Sequence, residues 1–390
     1  MGTRRKESQK TKKRATTGFD FGILFAGLAL LAFGLIMVLS AGAVRGYNAT
    51  QNSYYYVFQQ LKWAVLGGAA AVLTARVPYT FWRKWAGAGI LFSAGLLAVV
   101  HFTDAGVVVA GSARWLDVAG MSVQPSEISK LAVILFYAHI LDRYPVQKAK
   151  DLTIPLLVLA PFLYLVYKQP DLGTMLVIGA SAVALLLQTE LPFRWFAGAF
   201  PVIITAGYHL VRGNDYQWKR ILVWLDPWAY PNSSGYQITN AEIAFGSGGM
   251  FGVGLGRSLQ KYGFLPENHT DTIFAMVGEE LGLLGTTTLL LLYIYLIIRG
   301  YHVARACPDR FGRLLAFGIT SSLAIQTVMN MAVVTGVIPV TGITLPMISY
   351  GGNSLLITMV ELGLLLNISR YRAASPSVRS EKQASAQPSV

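Results

Sequence analysis

From Phe21 to Val44 the chain carries no ionisable side chain. A helical run of that length covers a hydrocarbon core of about 30 Å. In lipid, every backbone amide must find its partner within its own segment or in a closed barrel. Uncharged runs recur along the chain and are continuous over about 20 residues, the length of a helical span, which favours helices over the shorter alternating strands of a barrel. Composition agrees: 54% of residues are hydrophobic and only 13% are charged, against roughly 25% charged in an ordinary globular protein. The fold class expected is an all-α polytopic membrane protein.

Apolar runs between charged or Pro/Gly-rich breaks place about ten transmembrane helices, near residues 19–43, 57–75, 82–102, 126–142, 152–167, 171–189, 193–212, 271–298, 311–336 and 347–369. The basic lead Arg4 to Arg14 and the sequence Ala41-Gly42-Ala43 resemble a cleaved signal peptide. The apolar core exceeds the usual ~7–15 residues and more spans follow, so the first segment is expected to remain. An even number of spans puts both tails on one side. The Lys/Arg bias (the N-terminal cluster, Arg76, Arg83, Lys84, Arg143, Arg299, Arg305, Arg310 and Arg313) predicts N-in, C-in. That bias also accounts for the net charge of +13 without nucleic acid. Residues 1–17 and 373–390 read as disordered cytoplasmic tails flanking a membrane domain over 18–372. The single cysteine, Cys307, excludes an internal disulfide and a cysteine metal cluster.

Two outer connections are long, 103–125 and 213–270. The second is expected to be functional rather than disordered, because it carries Trp218, Trp224, Trp228 and Tyr236 and a glycine-rich stretch over 246–256. Lacking the Lys-Ser/Thr ending of a P-loop, that stretch reads as a flexible or tight-packing loop. Gln237–Phe245 is expected as a short amphipathic helix lying on the membrane.

Polar groups gather at the outer ends of the spans. Leu265-Pro-Glu-Asn-His-Thr-Asp271 leads into the eighth, where Asp271 either caps the helix or does chemistry. Glu267 and His269 crowd the same turn, and Glu279 and Glu280 follow inside the span, where charge needs a polar cavity or a partner. In Gln124-Pro-Ser-Glu127-Ile-Ser-Lys130 an ordinary helix start explains Pro125 and Ser126. It explains Lys130, and Arg114 just before, poorly; both cations suit a phosphate or pyrophosphate. Asp171, in Lys168-Gln-Pro-Asp171, is a turn and cap residue or lines the same cavity. The adjacent glycines of Ser349-Tyr-Gly-Gly-Asn353 imply a broken or closely packed entry to the last span, beside protein or water. Gln326, Asn330 and Glu361 add polar groups within the last two spans. The five histidines have no metal-ligand spacing, and no serine elbow is present.

The pieces GSARWL, QPSEISK, QPDLGT, GSGGMFGVGLGRSLQKYGFLPENHTDTIFAMVGEELGLLG and LPMISYGGNS, in that order, resemble the SEDS family (shape, elongation, division and sporulation) from about Asp20 to Arg372. The form GVGLGRSLQK is similar to the FtsW-like division branch and its sporulation relatives. Thr272 stands where the family usually has phenylalanine, and Asn353 where serine is common. The resemblance implies a peptidoglycan glycosyltransferase that polymerises lipid II at the outer face of the bacterial cytoplasmic membrane during septal wall synthesis. It implies a class B penicillin-binding protein transpeptidase and other division proteins as partners, and a divalent cation, Mg²⁺ or Mn²⁺, whose ligands are unknown. Asp271 matches the essential catalytic position, and Arg114, Glu127, Lys130 and Asp171 match conserved charged ones. Lys261, His269 and Ser349, in the same motifs, join them as expected substrate- or pyrophosphate-binding residues. A lipid II flippase and a non-catalytic division scaffold are the alternatives. A flippase would need important residues on both sides, whereas these clusters are external.

Overall fold

The computed structural model describes residues 18–103, 106–109, 112–118, 121–233 and 235–371, so the expected tails 1–17 and 373–390 lie outside the described residues. Helix α1 (Phe21–Thr50) is started by Asp20, whose carboxylate accepts the Gly22 and Ile23 N–H groups at 3.0 and 3.2 Å. Helices α2 (Tyr55–Arg76) and α3 (Tyr79–Phe102) follow, then α4 (Pro125–Arg143), with proline at its first position. Next come α5 (Thr153–Lys168), α6 (Leu172–Leu186), α7 (Phe193–Arg212), α8 (Asp215–Leu225) and α9 (Tyr236–Gly248). The chain closes with α10 (Ile273–Ala306), α11 (Arg310–Val334) and α12 (Gly352–Ser369). Among the described residues six segments are long and apolar enough to cross a membrane: Phe21–Thr50, Tyr79–Phe102, Ala149–Lys168, Ile273–Ala306, Arg310–Val334 and Gly352–Ser369.

Polar ties gather the ends of several helices on one side of the bundle. Asp20 pairs with Arg299 of α10 at 2.7 Å, and its N–H donates to Ser369 at the end of α12. Nearby, the Tyr79 N–H donates to Asn367 at 2.8 Å, and Arg83 pairs with Asp142 at 2.6 Å. The core runs through α4, α11 and α12, where Ile134, Tyr137, Leu315, Ile319 and Leu365 are buried. Helix α7, by contrast, buries no residue.

Several expectations need correction. The all-α reading misses a small antiparallel sheet, β1 (Gly106–Val109), β2 (Ser112–Val118) and β3 (Met121–Val123), in that order, with Leu116 opposite Val123. Its strands are too short to establish an alternating pattern, although the valine run of β1 favours a pleated chain. The 237–245 segment is helical, within α9, but does not merely lie on a membrane. It buries Ile238, Ala241 and Ala244 against α10, because a side chain on Gly248 would collide with the Gly278 carbonyl and glycine lets the backbones touch.

The glycine-rich stretch then does something a loop rarely does. Helix α10 breaks at Gly282 (φ 64°, ψ −161°), a backbone region open to glycine, which frees backbone groups in an apolar setting. The 249–254 backbone pairs with them. The Glu279 and Glu280 carbonyls accept Val253 and Gly254 N–H at 2.9 and 3.0 Å, while Leu283 and Leu284 N–H donate to the Gly249 and Met250 carbonyls. Tight packing, rather than flexibility, is what these glycines provide. A second non-helical segment separates α11 from α12. The Tyr293 hydroxyl donates to the Pro346 carbonyl, and Met347 lies against Gly34, far along α1. The last helix therefore begins at Gly352 rather than 347, since residues 335–351 run in among the helices as extended chain and turns.

Candidate active site

Asp271 sits on the loop just before α10 and does not cap it; the cap position falls to Thr272, which makes no side-chain cap bond. The loop is instead fastened on every side. The Thr272 hydroxyl reaches the Pro266 and Glu267 carbonyls at 2.9 and 3.0 Å, and Glu267 adopts the left-handed φ of 50°. Glu267 also pairs with Arg45 of α1 at 3.3 Å. From the 335–351 segment, the Ser349 hydroxyl donates to the Thr270 carbonyl at 2.7 Å and the Tyr350 N–H to the His269 carbonyl at 2.8 Å. Asn330 of α11 donates to the carbonyls of Asp271 (2.9 Å) and Ile343 (2.7 Å), locking loop and segment together.

The half-buried Asp271 carboxylate faces this segment at Gly342, where a Cβ would stand 3.4 Å from Oδ2. Burial, then the negative charges of Glu267 and Asp171, push its pKa up to about 7, against the pull of Arg114 and Arg220. Gly342 and Thr344 also wall a cavity of about 40 Å³ lined by Gln124, Glu127, Lys130, Thr174 and Gln326, room for roughly two or three waters. In it Lys130 pairs with Glu127 at 2.7 Å and donates to Gln326 at 2.6 Å. Glu361 of α12 lies buried within electrostatic reach of that pair.

Asp171 caps α6 by accepting the Thr174 N–H at 3.1 Å, and its other oxygen is 3.5 Å from Gln124 and Ser126. Asp171 is thus a cap residue that touches the cavity's wall through Gln124 without lining the cavity itself. Arg114, on β2, donates through Nε and Nη2 to the Gln169 and Pro170 carbonyls at 2.8 Å each, so it holds the turn that carries Asp171. Asn353 supports the sheet by donating to the Ser122 carbonyl at 2.7 Å.

Five of the expected residues are therefore brought together: Asp271, Asp171, Arg114, Glu127 and Lys130. The other three are buried in structural contacts rather than turned to a ligand. Lys261 donates to the Gly256 carbonyl and faces Glu280 at 4.0 Å, on the side of the loop where Ser40 donates to Glu280 at 2.6 Å. His269 lies between Tyr56 (4.4 Å) and Tyr350 (5.5 Å), and burial lowers its pKa to about 4. Ser349 is spent on the Thr270 carbonyl and the Leu345 N–H. Glu279 and Glu280, which a straight helix would have left deep and unsupported, are met by Ser258 and Ser40 and by the Leu259 N–H.

Sequence reasoning missed Gln60, whose amide holds the Ser349 carbonyl (3.0 Å) and the Gly351 N–H (3.2 Å), although a glutamine in an apolar span was a visible signal. It also passed over Arg220, which follows Lys219 in the long 213–270 connection with nothing in its sequence setting to single it out. Among the described residues no three His, Cys, Asp or Glu side chains stand close enough to hold a metal ion.

Fold and site together define a polytopic helical membrane protein with a charged cavity, walled by α4, α6, α11 and an inserted extended segment. The chain belongs to the FtsW/RodA/SpoVE family, described as cell cycle proteins, whose match covers residues 22–374. It is 39% identical to a probable peptidoglycan glycosyltransferase FtsW of Geobacter metallireducens, over 92% of this chain and 96% of that one. Stage V sporulation protein E of Bacillus subtilis is 40% identical, over 93% and 99%. Among solved structures, a chain of a peptidoglycan synthase complex that coordinates polymerization and crosslinking matches with a TM-score of 0.78 at 30% identity, over 92% of this chain and all of that one. The rod shape determining protein RodA of Thermus thermophilus matches with a TM-score of 0.67 at 28% identity, over 92% and 99%.

Proposed function

We propose that this chain is a peptidoglycan glycosyltransferase that polymerises lipid II into glycan strands at the outer face of the bacterial cytoplasmic membrane, in septal wall synthesis. The observation that carries the reading is Asp271: a half-buried carboxylate with its pKa raised to about 7, beside a cavity that holds Lys130. A general base works best with a pKa near the operating pH. Family membership and relatives named as peptidoglycan glycosyltransferases support the same activity.

In this reading Asp271 takes the proton from the 4-hydroxyl of the acceptor N-acetylglucosamine. The oxygen attacks the anomeric carbon of the donor N-acetylmuramic acid, the bond to the undecaprenyl pyrophosphate breaks, and the centre inverts. Lys130 has three N–H donors; Glu127 and Gln326 occupy two, leaving one for the departing pyrophosphate. Arg114 has spent Nε and Nη2 on carbonyls and offers the anion its remaining N–H groups. Such fixed charges stabilise a leaving anion without reorganisation. Lys261, His269 and Ser349 then serve by holding the Asp271 loop. Among the described residues the expected Mg²⁺ or Mn²⁺ has no closed ligand set, and no step here depends on it.

The topology proposed is ten spans with both tails in the cytosol, which puts Asp271 outside with its substrate. A class B penicillin-binding protein transpeptidase is the proposed partner, in keeping with the solved synthase complex, together with other division proteins. The test supplies labelled lipid II to purified protein with its transpeptidase. Glycan chains with release of undecaprenyl pyrophosphate are expected; lipid transfer across vesicles without polymer would replace this reading by the flippase.

A further inference from the structure

Helix α8 lies in the long connection after α7, and the hairpin it makes with α7 is fastened to the rest of the bundle mainly through α8. Helix α7 buries nothing and packs on α8, whereas α8 buries Gln217 and Val223. Two of its side chains grip the segment that walls the site: Trp224 Nε1 donates to the Gly336 carbonyl at 2.8 Å, and Arg220 Nη1 to the Val340 carbonyl at 3.0 Å. Two residues beyond Val340 is Gly342, against which the Asp271 carboxylate rests. We propose that Arg220 is a positioning residue for Asp271, carried on a helix whose docking onto the 336–342 wall decides whether the base faces that cation. The outer connection thereby reaches the reaction without touching substrate, and a partner that grips α8 would adjust the base.

The charged groups that face Asp271 are Glu267 on its own loop, Asp171 at the start of α6, Arg114 on β2 and Arg220 on α8; α11 presents only the neutral Asn330. Arg114 is held by the sheet and the 168–171 turn, so Arg220 is the cation whose presence depends on the docking of α8. A cation beside a carboxylate favours the ionised form. Its removal raises the pH at which Asp271 becomes a competent base.

The inference rests on the polymerase reading, and its experiment separates the two. The pH dependence of kcat/KM for labelled lipid II is measured for wild type, R220A, R220K and W224F, with D271N as control and thermal melting to confirm folding. In R220A the acid limb moves up by about one pH unit, with roughly tenfold loss at pH 6 that recovers at high pH. R220K leaves the limb in place. W224F, which loosens α8 while keeping the arginine, moves it the same way by less, and it carries the test alone should R220A yield no folded protein. A limb that stays put in R220A, or in W224F when only that variant folds, with any loss spread evenly over pH, overturns the inference. Polymerisation that persists in D271N overturns the reading beneath it, whatever Arg220 does.

Discussion

Asp271 owes its basicity to place. Burial and the neighbouring carboxylates of Glu267 and Asp171 raise its pKa to about 7, so the group is protonated and idle below that pH and competent above it. The rate of polymerisation is therefore expected to rise with pH through about 7, read from initial rates on labelled lipid II. Removing a negative neighbour with D171N lowers that pKa, and the same assay should show the acid limb displaced downward. His269 supplies a contrast. Its pKa is lowered to about 4, so it is neutral at working pH and acts through its ring. H269F keeps the contacts with Tyr56 and Tyr350 and should hold most of the activity. H269A gives up stacking of about 0.5–1.5 kcal/mol per aromatic pair and should lower the melting temperature and the rate together.

At the scale of elements, the broken α10 and the glycine stretch form one unit. A side chain on Gly252 meets the Glu280 carbonyl and must adopt φ 78°. Clash and strain together cost about 2–4 kcal/mol, so G252A is expected to melt markedly lower and to yield less monodisperse protein. Much of this level was legible in the sequence. Uncharged runs located the long helices because lipid leaves a segment few other ways to satisfy its backbone, and Asp271, Asp171, Arg114 and Lys130 stood out as charges at the ends of apolar runs. What was not legible depended on backbone contact across the fold. The Gly282 break is specified by its pairing with residues 249–254, which sequence spacing does not reveal. Lys261 and His269 looked like ligand contacts because they precede Asp271 in its motif, and Ser349 because it opens the last span, yet each is turned away into packing that only the folded chain defines. Gln60 and Asn330 work by grasping backbone from remote helices, so their partners lie far away in the chain.

For the whole molecule, orientation decides whether base and substrate meet. With the buried Cys307 replaced by serine, a single cysteine at Glu267, which is 48% exposed, should react with a membrane-impermeant maleimide from outside intact cells. A cysteine at Lys148 should react only after the cells are opened. The reverse pattern would put Asp271 on the cytosolic side, away from any growing wall.

One carboxylate carries the proposed chemistry, and the polymerisation rate of Asp271→Asn protein on labelled lipid II, at unchanged melting temperature, measures its part directly. The amide keeps the shape and removes the base, so glycan product should fall by about 10²-fold or more. A folded variant that makes chains at the wild-type rate would contradict it.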